Sequence, residues 1–286
     1  MKTDEQEHQE QVDAESLSSP SGVVIYKAVL KEGFDELARP SSALFWSGLA
    51  AGLSMGGSLV AEGLLASYLP QAPWRPLIAK LGYSLGFLVV ILGRQQLFTE
   101  NTLTPILPLL QEKTLTRFAG VMRLWVVVLA ANLVGCLAVA WACTSDAGFD
   151  ANIRREFLDI GQQAMAGGFA AHLIRAVFAG WLIALMVWLL PFAESARLWV
   201  IVILSYVIGL GHFGHLIAGG VQTFYIALTG EISWGAVFGN YFVPTFIGNV
   251  IGGVALVAAI NHAQVVSGAK NKKPVFQPGE YSRATT

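Results

Sequence analysis

Long apolar stretches separated by short polar connections run through the chain from about residue 42. The six stretches begin near Ser42, Leu77, Phe118, Leu173, Leu198 and Tyr241. A helix of about 20 apolar residues crosses a membrane core about 30 Å thick. The residues from Leu124 to Ala142 are apolar without the period-two alternation that barrel strands have. The pattern therefore predicts an all-α membrane protein with six transmembrane helices.

Composition and charge agree with a protein embedded in a lipid bilayer. Hydrophobic residues make up 54% of the chain and charged residues 13%, which is too apolar a mixture for a soluble domain. The opening 40 residues are polar and acidic, so no removable signal peptide is predicted. Lys and Arg are more frequent on the face that carries the two ends of the chain, and this bias predicts that both termini are cytoplasmic.

The two ends of the chain differ from its apolar middle. Residues 1–25 are predicted to be a disordered acidic tail, and residues 266–286 a solvated cytoplasmic tail. Residues 26–40 have apolar side chains at helical spacing, namely Tyr26, Val29, Leu30, Phe34 and Leu37. Such an amphipathic helix lies at the membrane surface or packs against a neighbouring subunit. Residues 41–265 then form the six-span transmembrane domain.

An internal repeat relates the two halves of this domain. The sequence Asn132-Leu-Val-Gly in the third stretch is echoed by Asn249-Val-Ile-Gly in the sixth, 117 residues later. Three spans per half follow, and because three is odd, the halves are inserted with opposite orientation. The same offset places Phe98 on His215, and both positions lie in polar interruptions of apolar stretches. The repeat therefore predicts two inverted three-helix halves.

The polar interruptions predict that the second and fifth helices are broken. The second stretch contains Arg-Gln-Gln-Leu-Phe-Thr-Glu-Asn-Thr at 94–102, followed by Pro105 and Pro108. The fifth contains Gly-Leu-Gly-His-Phe-Gly-His at 209–215. Non-helical backbone at membrane depth persists only where it lines a cavity or is buried in protein. Two such breaks at corresponding places in inverted halves indicate a transport site.

Two polar side chains in the interruptions are candidates for the chemistry of transport. The imidazole of His215 titrates near neutral pH and can exchange a proton with a weak acid, although a histidine here can also serve packing alone. Thr99 can hydrogen-bond His215 or a permeant molecule, or else its own preceding carbonyl. His212 lies one helical turn earlier, but no carboxylate or thiolate shares that face, so no metal site is predicted.

Charged and bulky residues accompany these two side chains. Arg94 and Glu100 are six residues apart in the first interruption, and each is costly in hydrocarbon unless it is paired or hydrated. A mutual salt bridge that holds the loop, with Asn101 beside it, is one interpretation, and attraction of anions by Arg94 is the other. Leu97 and Phe98 either form a hydrophobic constriction or simply pack.

Other features bear on the class of function. The chain contains no phosphate-binding loop, dinucleotide fingerprint or nucleophile elbow, so no enzyme, cofactor or nucleic acid partner is predicted. Cys136 and Cys143 lie seven residues apart on one predicted helix, and we interpret them as packing residues. Glu62, at the end of the first stretch, is expected to extend to the external interface.

Several of these motifs together resemble the formate/nitrite transporter family. They are Leu97-Phe98-Thr99, His215 and the stretch Pro-Thr-Phe-Ile-Gly-Asn-Val-Ile-Gly-Gly at 244–253. The resemblance covers about residues 40–263. It is strongest to the YfdC-type branch, on the evidence of the segment 94–102 and of Leu-Ser-Met-Gly at 53–56.

The resemblance implies an aquaporin-like protomer with its own pore, assembled as a homopentamer in the bacterial inner membrane. It implies that Thr99 and His215 face each other across that pore. The constrictions that it implies on either side are formed by Tyr83, Phe87, Leu97, Phe98 and Ile208. A small monovalent anion would enter a vestibule, take up a proton and cross the constrictions as the neutral acid.

The chain departs from the family pattern at several positions. A vestibule lysine before the fourth span has no counterpart, since the chain has Ala-Gly-Gly-Phe-Ala-Ala at 166–171. Small residues, Ala184, Gly214 and Gly219, stand where the family has polar ones. The lining is therefore less polar, and the permeant can differ from formate or nitrite. A channel for water or small neutral solutes, and a non-conducting scaffold closed by Phe98, are the alternatives.

Overall fold

A computed structural model describes residues 21–269, and this part of the chain contains helices and no strands. The first six α-helices are α1 Gly22–Ala38, α2 Ser41–Tyr68, α3 Arg75–Ala79, α4 Ser84–Leu92, α5 Ile106–Gln111 and α6 Leu115–Cys143. The next four are α7 Ala151–Ala164, α8 Phe169–Leu189, α9 Arg197–Leu210 and α10 Leu216–Leu228. Short 3₁₀ turns cover Glu100–Thr102, Leu190–Phe192 and Glu194–Ala196.

The last helical run, α11, is not uniformly α-helical. It has the α-helical segments Trp234–Ala236, Val243–Val250 and Ile260–Ala269, joined by π-helical segments Val237–Phe242 and Ile251–Ala259. Such wider turns often occur near functional sites. The α-helical segment between them carries Asn249, one of the two asparagines of the repeat.

Five helical segments in residues 21–269 are long and apolar enough to cross a membrane. They are Ser41–Tyr68, Arg75–Leu92, Leu115–Cys143, Phe169–Phe192 and Trp234–Ser267. A further apolar helix, α10, has 13 residues, which gives a length of about 20 Å and is too short for a span by itself. The all-helical prediction is confirmed, and five of the six predicted stretches meet the criterion for a span.

Glycines let the long helices approach each other closely. A Cβ atom at Gly52 of α2 would collide with the backbone of Asn132 in α6, and one at Gly180 of α8 would collide with the backbone of Asn249 in α11. Small residues at such crossings allow backbones to touch, which is how helices pack in lipid without a hydrophobic driving force between them. The two crossings therefore hold the repeat asparagines against neighbouring helices.

Helix α1 begins at Gly22, four residues before the predicted start at residue 26, and its apolar face packs on its own chain. Tyr26, Val29, Leu30 and Leu37 are buried there. The Tyr26 hydroxyl lies 2.6 Å from Nδ1 of His262 in α11. The remainder of the predicted acidic tail, residues 1–20, and most of the C-terminal tail, from residue 270, lie outside the described residues.

Candidate functional site

Helices α4 and α9 end with the same backbone geometry. Arg94 follows the end of α4 and His212 follows the end of α9, and each has a φ of 49°. The next N–H groups, of Gln95 and Phe213, bond the carbonyls five residues earlier at 2.9 and 3.0 Å. A residue in this left-handed region stops a helix and satisfies its last carbonyl groups. The two segments that follow α4 and α9 can therefore turn away from the helix axes.

Asn132 and Asn249 hold the two segments that follow these helix ends. The amide of Asn132 bonds the N–H of Phe98 at 2.9 Å and the carbonyls of Gly48 and Gln96 at 2.7 and 2.9 Å. The amide of Asn249 bonds the N–H of Leu216 at 2.9 Å and the carbonyls of Ala176 and Gly214, both at 2.8 Å. Each side chain thus supplies two bonds to backbone groups of a non-helical segment and a third bond to a carbonyl within a neighbouring helix, α2 or α8.

The equivalence of these bonds fixes how the two segments correspond. The N–H groups of Phe98 and Leu216 donate to Asn132 and Asn249, respectively. The carbonyls of Gln96 and Gly214 accept from the same two side chains. The spacing is 118 residues in the segments, one more than the 117 between the asparagines. His215 therefore corresponds in backbone position to Leu97 rather than to Phe98.

Thr99 and His215 meet at the centre of these segments. Oγ1 of Thr99 lies 2.7 Å from Nε2 of His215, and the residues are 0% and 1% exposed. Nδ1 of the imidazole accepts the N–H of Ala218 at 3.1 Å, in the first turn of α10. In the neutral ring the proton is then on Nε2, which donates to Thr99. The hydroxyl proton of Thr99 remains available for another acceptor.

Two cavities lie near this hydrogen bond. The small cavity, of about 30 Å³, is lined by residues that include Lys80, Tyr83, His172, Ile208, His215 and Gln222. The large cavity, of about 500 Å³, is lined by residues that include Glu32, Arg39, Arg94, Leu97, Glu100 and Arg197. His215 lines the first, and Leu97 and Glu100, which lie before and after Thr99 in the sequence, line the second. The Thr99–His215 bond therefore lies between them.

The five predicted constriction residues are all buried but have different surroundings. Tyr83 and Ile208 line the small cavity, and Leu97 lines the large one. The ring of Phe87 meets the imidazole of His215 edge to face, with centroids 4.9 Å apart. Phe98 packs against Trp125 and Phe246, with centroids 5.6 and 5.4 Å away. Phe98 lines neither cavity, so its environment is that of a packed core residue.

The predicted salt bridge between Arg94 and Glu100 is wrong for the described part of the chain, where no ion pair joins them. Arg94 is exposed, and Oε1 of Glu100 is buried without a hydrogen-bond partner. The physical reason is that α1 brings other carboxylates to the large cavity. Arg94 lies close enough to Glu32 to lower its pKa, although burial raises that pKa more. Asn101 bonds the side chain of Gln96 at 3.0 Å.

Glu62 does not extend to the interface as expected. Its side chain is 3% exposed, and Oε1 lies 2.5 Å from Nζ of Lys80, whose side chain is 8% exposed. Sequence analysis missed this pair, although two opposite charges near the ends of consecutive apolar stretches were a usable signal. Within residues 21–269, no three histidine, cysteine or carboxylate side chains come close enough together to hold a metal ion.

The sequence profile of the formate/nitrite transporter family matches residues 23–263 of this chain. The chain belongs to the formate/nitrite transporter family. Members of this family are membrane channels and transporters, and the apolar helices described above fit that assignment. The motifs around Thr99, His215 and Asn249 therefore identified the family from the sequence.

Two known proteins are similar to this chain over most of their length. The inner membrane protein YfdC of Escherichia coli (strain K12) is 36% identical over 274 residues, which cover 96% of this chain and 88% of that protein. The formate channel BtFdhC of Bacillus thuringiensis is 26% identical over 82% of this chain and 91% of that protein.

Solved structures show that the fold is shared with the formate/nitrite transporter family. A pentameric formate channel with formate bound has a TM-score of 0.67 at 19% identity, over 79% of this chain and 98% of that one. An FNT family ion channel has a TM-score of 0.73 at 17% identity, over 84% of this chain and 98% of that one.

Proposed function

We propose that this chain conducts small monovalent weak acids across a membrane through a pore within each protomer. The pore runs between the small and the large cavity, past Thr99 and His215. The two inverted halves that we predicted supply one segment each: the break after α4 carries Thr99 and the break after α9 carries His215. Helices α3, α4 and α5 then form the broken second span, and α9 and α10 form the broken fifth span.

The hydrogen bond between Thr99 and His215 is the observation that carries this proposal. A neutral donor pair, flanked by Phe87 and Leu97, lies in a desolvated region between two polar cavities. An ion loses its hydration there, whereas the neutral acid of a small monovalent anion loses much less. The hydroxyl of Thr99 can hydrogen-bond the acid as it passes. Phe98 contributes to the barrier by packing behind this segment.

Protonation at His215 accompanies a movement of the imidazole in this proposal. A second proton would sit on Nδ1, which accepts the N–H of Ala218. Because two N–H groups cannot point at each other, the ring must leave this bond before it can carry charge. The proton can then pass to an anion waiting in the small cavity, and the ring returns to its bond as the neutral acid moves on.

The family relatives support the rest of the proposal. The names of BtFdhC and of the solved pentameric channel refer to formate. We propose that monovalent anions of about the size of formate are also the substrates of this chain. The pentamer of that channel and the inner-membrane location of YfdC are likewise extended to it. Both termini then face the cytoplasm, as the distribution of Lys and Arg predicts.

Uptake by proteoliposomes tests the proposal. Formate and nitrite influx is measured at two pH values for the wild type and for His215→Ala, with His262→Ala as the matched control because His262 bonds Tyr26 away from both cavities. We expect influx that rises at acid pH, falls at least about tenfold in His215→Ala and persists in His262→Ala. Water flow without acid influx, or no flux of any solute, contradicts the proposal.

A further inference from the structure

Lys80 and Glu62 form a buried ion pair that the proposed pore does not yet use. Removing two ions from water is costly and is compensated only where both charges are well paired. Charged residues inside a membrane protein usually face a water-filled passage and serve it. The pair lies at the junction of α2 with the end of α3, beside the small cavity.

The two members of the pair differ in what they face. Lys80 lines the small cavity together with His215, whereas Glu62 does not. An ammonium group has three N–H donors, and the recorded partner of Lys80 Nζ within the described residues is a single oxygen of Glu62. The second oxygen, Oε2, is buried without a partner. Lys80 therefore has donors to spare at the cavity, and Glu62 has no other bond to hold it.

Arg75 and Glu156 form a second, largely buried ion pair, which serves as a comparison. Its hydrogen bonds are those of a pair with a structural role. The closest atoms of the two side chains are 2.5 Å apart, the same distance as in the first pair. The guanidinium of Arg75 also bonds the carbonyl of Ala66 and the side chain of Gln71. Neither Arg75 nor Glu156 lines the small cavity. Arg75 therefore has protein partners besides its carboxylate, whereas Glu62 is the one partner of Lys80 Nζ among the described residues.

We propose that Lys80 is the anion-binding residue of the small cavity and that Glu62 is its exchangeable counter-ion. The permeant anion takes the donors of Lys80 that Glu62 leaves unused, within reach of the cavity wall that contains His215. A lysine from the end of α3 thereby provides the anion attraction for which the segment 166–171 has no residue. The cavity is small, at about 30 Å³, so only a very small anion is held. This inference rests on the proposed function for the onward passage of the anion, but not for its binding.

Thermal stability in detergent measures this binding without requiring transport. The apparent melting temperature of the full-length protein is followed against sodium formate, with sodium gluconate at equal ionic strength as the reference anion. The decisive variant is Glu62→Gln/Lys80→Gln, which removes both charges and leaves no buried ion unpaired. We expect the formate concentration for half of the shift to rise at least about tenfold, because a hydrogen bond to a charged group is lost. Lys80→Arg retains the shift near its wild-type concentration.

Glu156→Gln is the matched control, because it disrupts a buried ion pair of equal length outside the cavity. Its half-shift concentration is expected within about twofold of the wild type, even if its melting temperature is lower. A double variant that matches the wild type, or a wild type that shows no formate-dependent shift, overturns the inference. If the wild type binds formate through Lys80 but proteoliposomes take up no acid, the inference stands and the proposed function fails.

Discussion

At the scale of single residues, hydrogen bonds decide what His215 can do. The bond from Ala218 fixes one nitrogen as an acceptor, and Thr99 lies against the other. The polar interruptions marked Thr99 and His215 as candidates, and the resemblance to the formate/nitrite transporter family implied that the two face each other. The sequence could not predict the tautomer, which depends on where the first turn of α10 begins. A salt bridge between Arg94 and Glu100 was one interpretation of the sequence, because the loop itself gives no sign that carboxylates of α1 lie near Arg94.

Thr99→Val should impair conduction, while Thr99→Ser should preserve it. Valine has nearly the shape of threonine but cannot accept the proton on Nε2 of His215, and a buried donor without a partner costs about 1–3 kcal/mol. We expect formate uptake at least about tenfold lower in Thr99→Val, with a lower melting temperature. Uptake by proteoliposomes measures the effect, and equal rates for both variants would show that this hydroxyl is not needed.

Asn249→Ala should destabilise the protein strongly. The substitution leaves the N–H of Leu216 and the carbonyl of Gly214 without partners, at a cost of about 1–3 kcal/mol for each fully buried group, and also removes a bond to the carbonyl of Ala176 in α8. Asn132→Ala should have a similar effect, because that amide makes the equivalent three bonds. Asn261→Ala is the control, since Asn261 donates a single bond to Val257 and is half-buried. Melting temperatures in detergent rank the three, and a control as damaging as Asn249→Ala would refute the account.

At the scale of helices, the site depends on where α4 and α9 end, because the segments that carry Thr99 and His215 follow these ends. The interruptions were predicted from polar residues, glycines and prolines, and the helices do end at Leu92 and Leu210. The left-handed backbone conformation that ends each helix could not be predicted, because it is adopted by Arg94 and His212 and not by a glycine. Such residues cost about 1–2 kcal/mol relative to the right-handed region. Conformations of this kind persist at functional sites where the surrounding structure holds them.

Arg94→Gly should therefore leave the melting temperature unchanged or raise it, since glycine adopts a positive φ without strain. The same change at Arg155, exposed and within α7, should lower stability by about 1 kcal/mol, because glycine is a poor helix former. Melting temperatures of the two variants are compared with the wild type, and a decrease is expected only for Arg155→Gly. A loss in Arg94→Gly as large as in Arg155→Gly would mean that the side chain of Arg94 makes a stabilising contribution.

Helix α1 should make stability depend on pH through Glu32. Desolvation by the surrounding protein and the nearby Glu36 raise the pKa of Glu32, whose side chain is still exposed, above its usual value, against a smaller opposite effect of Arg94. A carboxyl with a raised pKa favours the folded state when protonated, so its contribution falls as pH rises above the usual value. Glu32→Gln should gain in melting temperature relative to the wild type at pH 7, and the gain should shrink towards pH 4. A gain that grows towards acid pH would show the opposite shift.

At the scale of the whole molecule, the repeat asparagines explain why so much of the fold could be predicted. Continuous apolar stretches determine that the chain is helical, and the Asn132 and Asn249 motifs mark equivalent crossings with α2 and α8. What could not be predicted depends on distant parts of the chain. The ion pair of Glu62 with Lys80, and the packing of α1 against its own chain, each join segments that carry no shared motif.

The same architecture predicts how conduction depends on assembly. Thr99 and His215 belong to one chain, and one chain lines both cavities, so each protomer of a pentamer should conduct independently of its neighbours. The assembly should have about five times the chain mass of 30.7 kDa in native mass spectrometry. Pentamers mixed from equal amounts of wild-type and His215→Ala chains should then retain about half of the wild-type formate uptake. A passage on the symmetry axis that needs five intact chains would leave only about 3%. Uptake is therefore measured against the fraction of wild-type chains. A linear dependence supports a pore in each protomer, whereas a fifth-power dependence would show that the pore lies on the symmetry axis.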